Sequence, residues 1–138
     1  MTVATRHGAA MKRLLRAALC SAWGAALVPA QAAWQLQLAT PAADHYADDT
    51  SLQAISGMRR VWELQDLRTP DARGVRSWRS FVEYDCRGAR QRVLERSAFA
   101  GAKASGTVLP VEAVSGAWAD VQPGSAAESV LRWACQRP

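Results

Sequence analysis

The chain has 138 residues, with 17 lysines and arginines against 12 acids, a formal charge of +5 and three cysteines. That length suffices for one domain that buries its own core, so folding requires no metal or cofactor. At 49% apolar and 21% charged residues the composition excludes a long disordered polymer. The positive charge points to nucleic acid or an anionic membrane only if it sits on the folded domain.

Much of it sits elsewhere. Lys12, Arg13 and Arg16 precede an uncharged run from Ala17 to Val28, which Pro29 and Ala30-Gln31-Ala32 follow. A cationic start, a short apolar run and a small-x-small site are the parts of a secretory signal peptide. The apolar run is well short of the roughly 20 residues that span a bilayer, so no transmembrane anchor is expected after cleavage. The expected organisation is a signal over 1–32 and a single domain over 33–138. Arg6, Lys12, Arg13 and Arg16 leave with the signal, so 13 cations then face 12 acids, a balance of +1. The mature chain keeps two cysteines, Cys86 and Cys135. An even count in an oxidising compartment predicts a disulfide between them. Closing a loop of about 49 residues stabilises by about 4 kcal/mol in the chain-entropy account.

Trp34, Leu36 and Leu38 alternate with Gln35 and Gln37, the period of a half-buried strand. Pro41 ends it, and a polar stretch through Asp44, Asp48, Asp49 and Gly57 reads as loop. Met58, Arg60, Trp62 and Leu64 alternate next, before a turn at Thr69-Pro70-Asp71 and Gly74. Val75 to Cys86 is the longest strand expected. Trp78, Val82, Tyr84 and Cys86 lie on one face, Arg79, Glu83 and Asp85 on the other, and Phe81 breaks the pattern. Arg87 to Arg90 reads as a hairpin turn into a strand over Gln91–Phe99, and Gly101 to Gly106 turns again. Thr107–Val114 reads as a short strand that Pro110 marks as an edge or bulge. Ser125-x-x-Glu128 is a capping box opening a helix over Ala126–Gln136. Ala127, Val130, Leu131 and Ala134 form its apolar stripe, with Cys135 at the margin. A bridge to Cys86 lays that helix across one sheet face. The fold class is therefore α+β: an antiparallel β-sheet with one C-terminal α-helix disulfide-linked across one face. The opposite face is left for solvent or a partner.

Several spacings together resemble the surface-adhesin protein E family of Gram-negative bacteria. They are Tyr46-Ala47-Asp48 with Ser51-Leu52; Arg60-Val61-Trp62-Glu63-Leu64; Tyr84-Asp85-Cys86; Phe99; Trp118-x-x-Val121-x-Pro123-Gly124-Ser125-x-x-Glu128; and Cys135. The resemblance covers most of residues 34–135. It implies a sheet with a disulfide-tied C-terminal helix, a homodimer, an envelope or cell-surface location, and adhesion to host extracellular-matrix or serum proteins. The chain departs from it in lacking a convincing lipid-attachment cysteine, since Leu19 precedes Cys20 and Arg16 lies just upstream. A soluble periplasmic protein with a structural or chaperone-like role is the alternative.

The candidate partner-binding residues are Arg87, Arg90, Arg92 and Arg96. Residues 90, 92 and 96 share a parity and are expected on one strand face, where they could meet a protein partner, an acidic polysaccharide or lipid head groups. Nucleic acid is a poor match for an exported domain near neutrality. Trp62 and Trp78 lie in step with apolar positions and are expected in the core. His45, beside Asp44, Asp48 and Asp49, reads as part of a solvated acidic loop, and a hydrolase pairing it with Ser51 is the weak third reading. One histidine is too few for most metal sites. No CxxC, HExxH or glycine-rich phosphate loop occurs, so the sequence argues for no enzyme, cofactor or metal.

Overall fold

The computed structural model describes residues 1–2 and 31–138. The expected export signal, 1–32, therefore lies almost wholly outside the described residues. Eight strands make one antiparallel sheet: β1 (Trp34–Ala39), β2 (Ala43–Asp48), β3 (Gln53–Ile55), β4 (Met58–Leu67), β5 (Ser77–Asp85), β6 (Arg90–Phe99), β7 (Val108–Leu109) and β8 (Ala119–Asp120). Their order is β1-β2-β4-β5-β6-β7, with β3 also pairing β4 and β8 also pairing β6. Helix α1 (Ala126–Cys135) follows.

The helix starts where the capping box placed it. The Glu128 N–H donates to Ser125 Oγ at 3.2 Å, while the Glu128 carboxylate accepts from the Gly124 N–H at 2.7 Å. Cys86 and Cys135 are bonded, with Cα atoms 5.8 Å apart, so α1 is stapled to the end of β5. Beneath it, Ala47, Val61, Val82 and Tyr84 form the core with Val130 of α1. The strand members share one sheet face, with Val82 and Tyr84 two apart along β5, as the pleat requires.

Four expectations are corrected. The polar stretch after Pro41 is not a loop: Ala43–Asp48 is a strand between β1 and β4, with Ala43 and Ala47 fully buried. His45 thus sits on a strand. Trp62 is not core; Val61 is, and Trp62 lies half-buried on the opposite face, 5.0 Å from Phe81 between ring centroids. In β1 the register slips between Leu36 and Leu38, which pair with Tyr46 and His45. The bulge turns the two leucines to opposite faces and leaves Leu36 exposed. The strand expected over Thr107–Val114 pairs only at Val108–Leu109.

Among the described residues, the face away from α1 is covered at one end only. There the turn Ala102–Ala104 packs on β4 and β5, over the buried Leu64 and Ser77. Lys103 and Ala104 hold left-handed φ angles of 53° and 57°. The strain is offset by hydrogen bonds, Lys103 N–H to Asp66 Oδ1 and Ala104 N–H to Ser77 Oγ.

Candidate interaction site

The rest of that face is built from odd positions of β5 and even positions of β4. Glu83 projects from β5 between Arg60 on β4 and Arg92 on β6, and accepts from both guanidiniums at 2.6 Å. Burial pushes this carboxyl up, but the two arginines outweigh it and hold Glu83 below the usual carboxylate range. Asp85, beside it, accepts from Arg90 at 2.9 Å and from the Gly88 and Arg87 amides. The Arg90 hydrogen bond is the main reason its pKa is lowered. The tight β5–β6 turn needs glycine at 88, where a Cβ would lie 2.5 Å from an Asp85 oxygen.

Aromatic rings seat the arginines. Arg90 and Arg92 lie over Trp118, at 5.3 and 4.7 Å from its centroid, and Arg79 lies 4.4 Å over Trp62. Each ring offers its negative face to a cation. The result is a strip of guanidinium and aromatic surface with buried carboxylates behind it. Such a surface suits a protein or polyanionic partner, because arginine and aromatic side chains supply most contact energy at interfaces.

The four predicted arginines divide. Arg90 and Arg92 share this face, and Arg87 is exposed in the adjoining turn. Arg96 does not join them. The β5–β6 register shifts so that Phe81 faces Glu95 while Val82 faces Val93, leaving Leu94 as a bulge. Parity inverts there, and Arg96 pairs with Ser80 on the helix-bearing face, over Trp78 at 5.0 Å. Trp118, Arg60 and Arg79 were missed as members of the strip; Trp118 follows a stretch without strand pattern, so no local periodicity pointed to it.

On the helix-bearing face, a cavity of about 170 Å³ is lined by His45, Glu63, Gln65, Ser80 and Arg96, among others. Burial raises Glu63 to about 7, against the lowering effects of the Tyr84 hydroxyl, which donates to it, and of Arg96. Burial likewise lowers His45, partly countered by Asp44. Ser51 is elsewhere. Its hydroxyl donates to Asp48 O and accepts from the Trp62 N–H, so it is committed to the backbone and does not line the His45 cavity. Among the described residues, no three His, Cys, Asp or Glu side chains gather as a metal site.

The surface-adhesin protein E profile matches residues 34–136, nearly all of the described domain. The chain belongs to the surface-adhesin protein E family. The fold is that of Haemophilus influenzae protein E. Crystal form II of that protein superposes with a TM-score of 0.56 at 10% identity, covering 72% of this chain and 91% of that one. Protein E from non-typeable Haemophilus influenzae gives 0.55 at 11% identity, covering 78% of each. Among curated proteins, none matches this family member at a significant level. At such identities the superposition speaks for the fold, while the profile carries the family.

Proposed function

We propose that this protein E-family chain is an exported, non-catalytic binding module of the cell envelope. Its signal is residues 1–32, and it contacts a protein partner through the face opposite α1. The observation that carries this reading is the strip in which Arg79, Arg90 and Arg92 sit on Trp62 and Trp118 and Arg60 is held by Glu83, on a part of the sheet that no second layer covers among the described residues. An adhesive role accords with the family. A soluble periplasmic role is favoured by one feature, Leu19 where lipoprotein processing needs a small residue.

Cell fractionation separates the two locations: protease accessibility on intact cells supports surface display, and release by osmotic shock supports the periplasm. Partner contact is tested by capture from the compartment found, with wild type and R87E/R90Q. Arg92 is left intact and Arg90 only neutralised, because a glutamate at either would face a buried carboxylate, Glu83 or Asp85. Equal capture by both proteins, each with its disulfide formed, would dismiss the face.

A further inference from the structure

β7 and β8 are two ends of one interrupted strand. Both run antiparallel to β6, with Leu109 opposite Ala98 and Ala119 opposite Gln91. Between these anchors, residues 110–118 of the chain stand against residues 92–97 of β6. Nine residues cannot pair in register with six, so three are in excess and the segment bows away, starting at Pro110. The bow encloses a groove of about 750 Å³ whose lining includes Arg73, Trp78, Val93, Arg96 and Glu112. That is within the roughly 300–1,000 Å³ usual for ligand sites.

The walls are backbone left without partners. Ala89 O accepts from the Val121 N–H at one anchor, and the Ala100 N–H donates to Thr107 O at the other. Alternating inward from these bonds, the residues whose N–H and C=O face the groove are Val93 and Arg96. Among the described residues, no hydrogen bond joins β6 to residues 110–118, where the Ala117 N–H donates to Ser115 Oγ and no other backbone group is bonded. A strand edge with free donors and acceptors is a template for another strand.

Charge selects what enters. The guanidiniums of Arg73 and Arg96 both lie over Trp78, at 5.1 and 5.0 Å from its centroid. Arg73 is paired to Asp71 at 3.3 Å, whereas Arg96 donates to Ser80 Oγ and makes no ion pair among the described residues. Arg96 is thus a seated cation at the mouth of the groove with no carboxylate in ion-pair contact among the described residues, although Glu63 feels its charge and Glu112 lines the same groove.

We propose that the gap between β6 and residues 110–118 docks an extended acidic peptide segment of a partner protein. The segment adds as a short strand beside Val93 and Arg96 and sets a carboxylate against the Arg96 guanidinium. A polysaccharide offers anions but not the paired donors and acceptors at strand spacing that this edge requires. The groove lining reaches Ala117 and stops short of Trp118, the one strip residue in this segment, so the site stands or falls separately from that reading.

The test titrates the disulfide-bonded protein with an end-capped hexapeptide of alternating valine and threonine around one glutamate, followed by backbone amide NMR. Saturable shifts centred on Val93, Arg96 and residues 110–118 are expected. R96Q should weaken binding about tenfold, as should a lysine in place of the peptide's glutamate. Deleting residues 113–115 equalises the two segments, so β7 and β8 should join along β6, protect the Val93 and Arg96 amides from exchange, and abolish binding. Absence of shifts at millimolar peptide, equal affinity of R96Q, or tighter binding of a sulfated hexasaccharide at the same amides would each overturn the proposal.

Discussion

Glu63 offers the sharpest test of how this sheet is stabilised. Its carboxyl lies beside the core on the helix-bearing face, accepts the Tyr84 hydroxyl, and has its pKa raised from 4.5 to about 7, chiefly by burial. A carboxyl raised on folding binds more protons in the native state than in the unfolded one across that window. Stability therefore falls as pH rises from 4.5 to 7, and the full penalty is present above 7. A difference of this size corresponds to about 3 kcal/mol. Water reaching the edge of the half-buried residue trims it to about 2–3 kcal/mol. Glu63→Gln keeps an oxygen for the Tyr84 hydroxyl and cannot ionise. The variant should match wild type at pH 4 and exceed it by about 2–3 kcal/mol at pH 8, a rise in Tm on the order of 10 °C. Urea unfolding of both proteins at unit pH steps, with the disulfide intact, measures the difference. His45, lowered by burial, acts in the opposite sense, since stability is lost as pH falls through its depressed folded pKa. Its contribution is common to both proteins and is largely removed by subtraction. A difference independent of pH, or a variant weaker than wild type at pH 8, would refute the reasoning.

Three further outcomes are expected. Reducing the Cys86–Cys135 bridge, which closes a separation of 49 residues, should lower stability by about 2–4 kcal/mol; an unchanged urea midpoint under reductant would contradict this. Glu83→Gln leaves Arg60 and Arg92 facing each other without a counter-ion. With both guanidiniums about a third exposed, the loss should be about 2 kcal/mol, less than a fully buried pair would give, and a thermal scan showing no shift would argue that water replaces the carboxylate. Ser125→Ala removes the acceptor at the start of α1 and should cost about 1 kcal/mol by chemical denaturation.

What the sequence disclosed, it disclosed through local chemistry. The capping box marked the start of the helix, and the even cysteine count expected after export marked the staple, because each depends on a few residues and their neighbours. The alternation in Val75–Cys86 placed Val82 and Tyr84 in the core and left Phe81 to an outer face, where it meets Trp62. β2 escaped because its helix-facing Ala43 and Ala47 are small and its remaining residues are charged or polar. Burial of an alanine leaves little hydrophobic signal, and Asp48 is buried because the Ala33 and Thr50 amides bind its carboxylate. Neither fact is visible in a pattern of apolar residues.

The arginine cluster shows the deeper limit. Parity along a strand assigns faces only while the ladder stays in register, and one extra residue inverts every assignment beyond it. Leu94 is that residue in β6. Nothing about a leucine among arginines announces a bulge; it exists because β5 and β6 are held at both ends, by the turn at Gly88 and by the pairing of Ser77 with Phe99. The same kind of count, three residues too many between Leu109 and Ala119, opens the groove along the same strand. Arg96 is brought to that groove by the first mismatch, and the groove is kept open by the second. The surfaces on which this domain can meet a partner are thus set by differences in segment length between paired strands, which become visible only when the pairing is known.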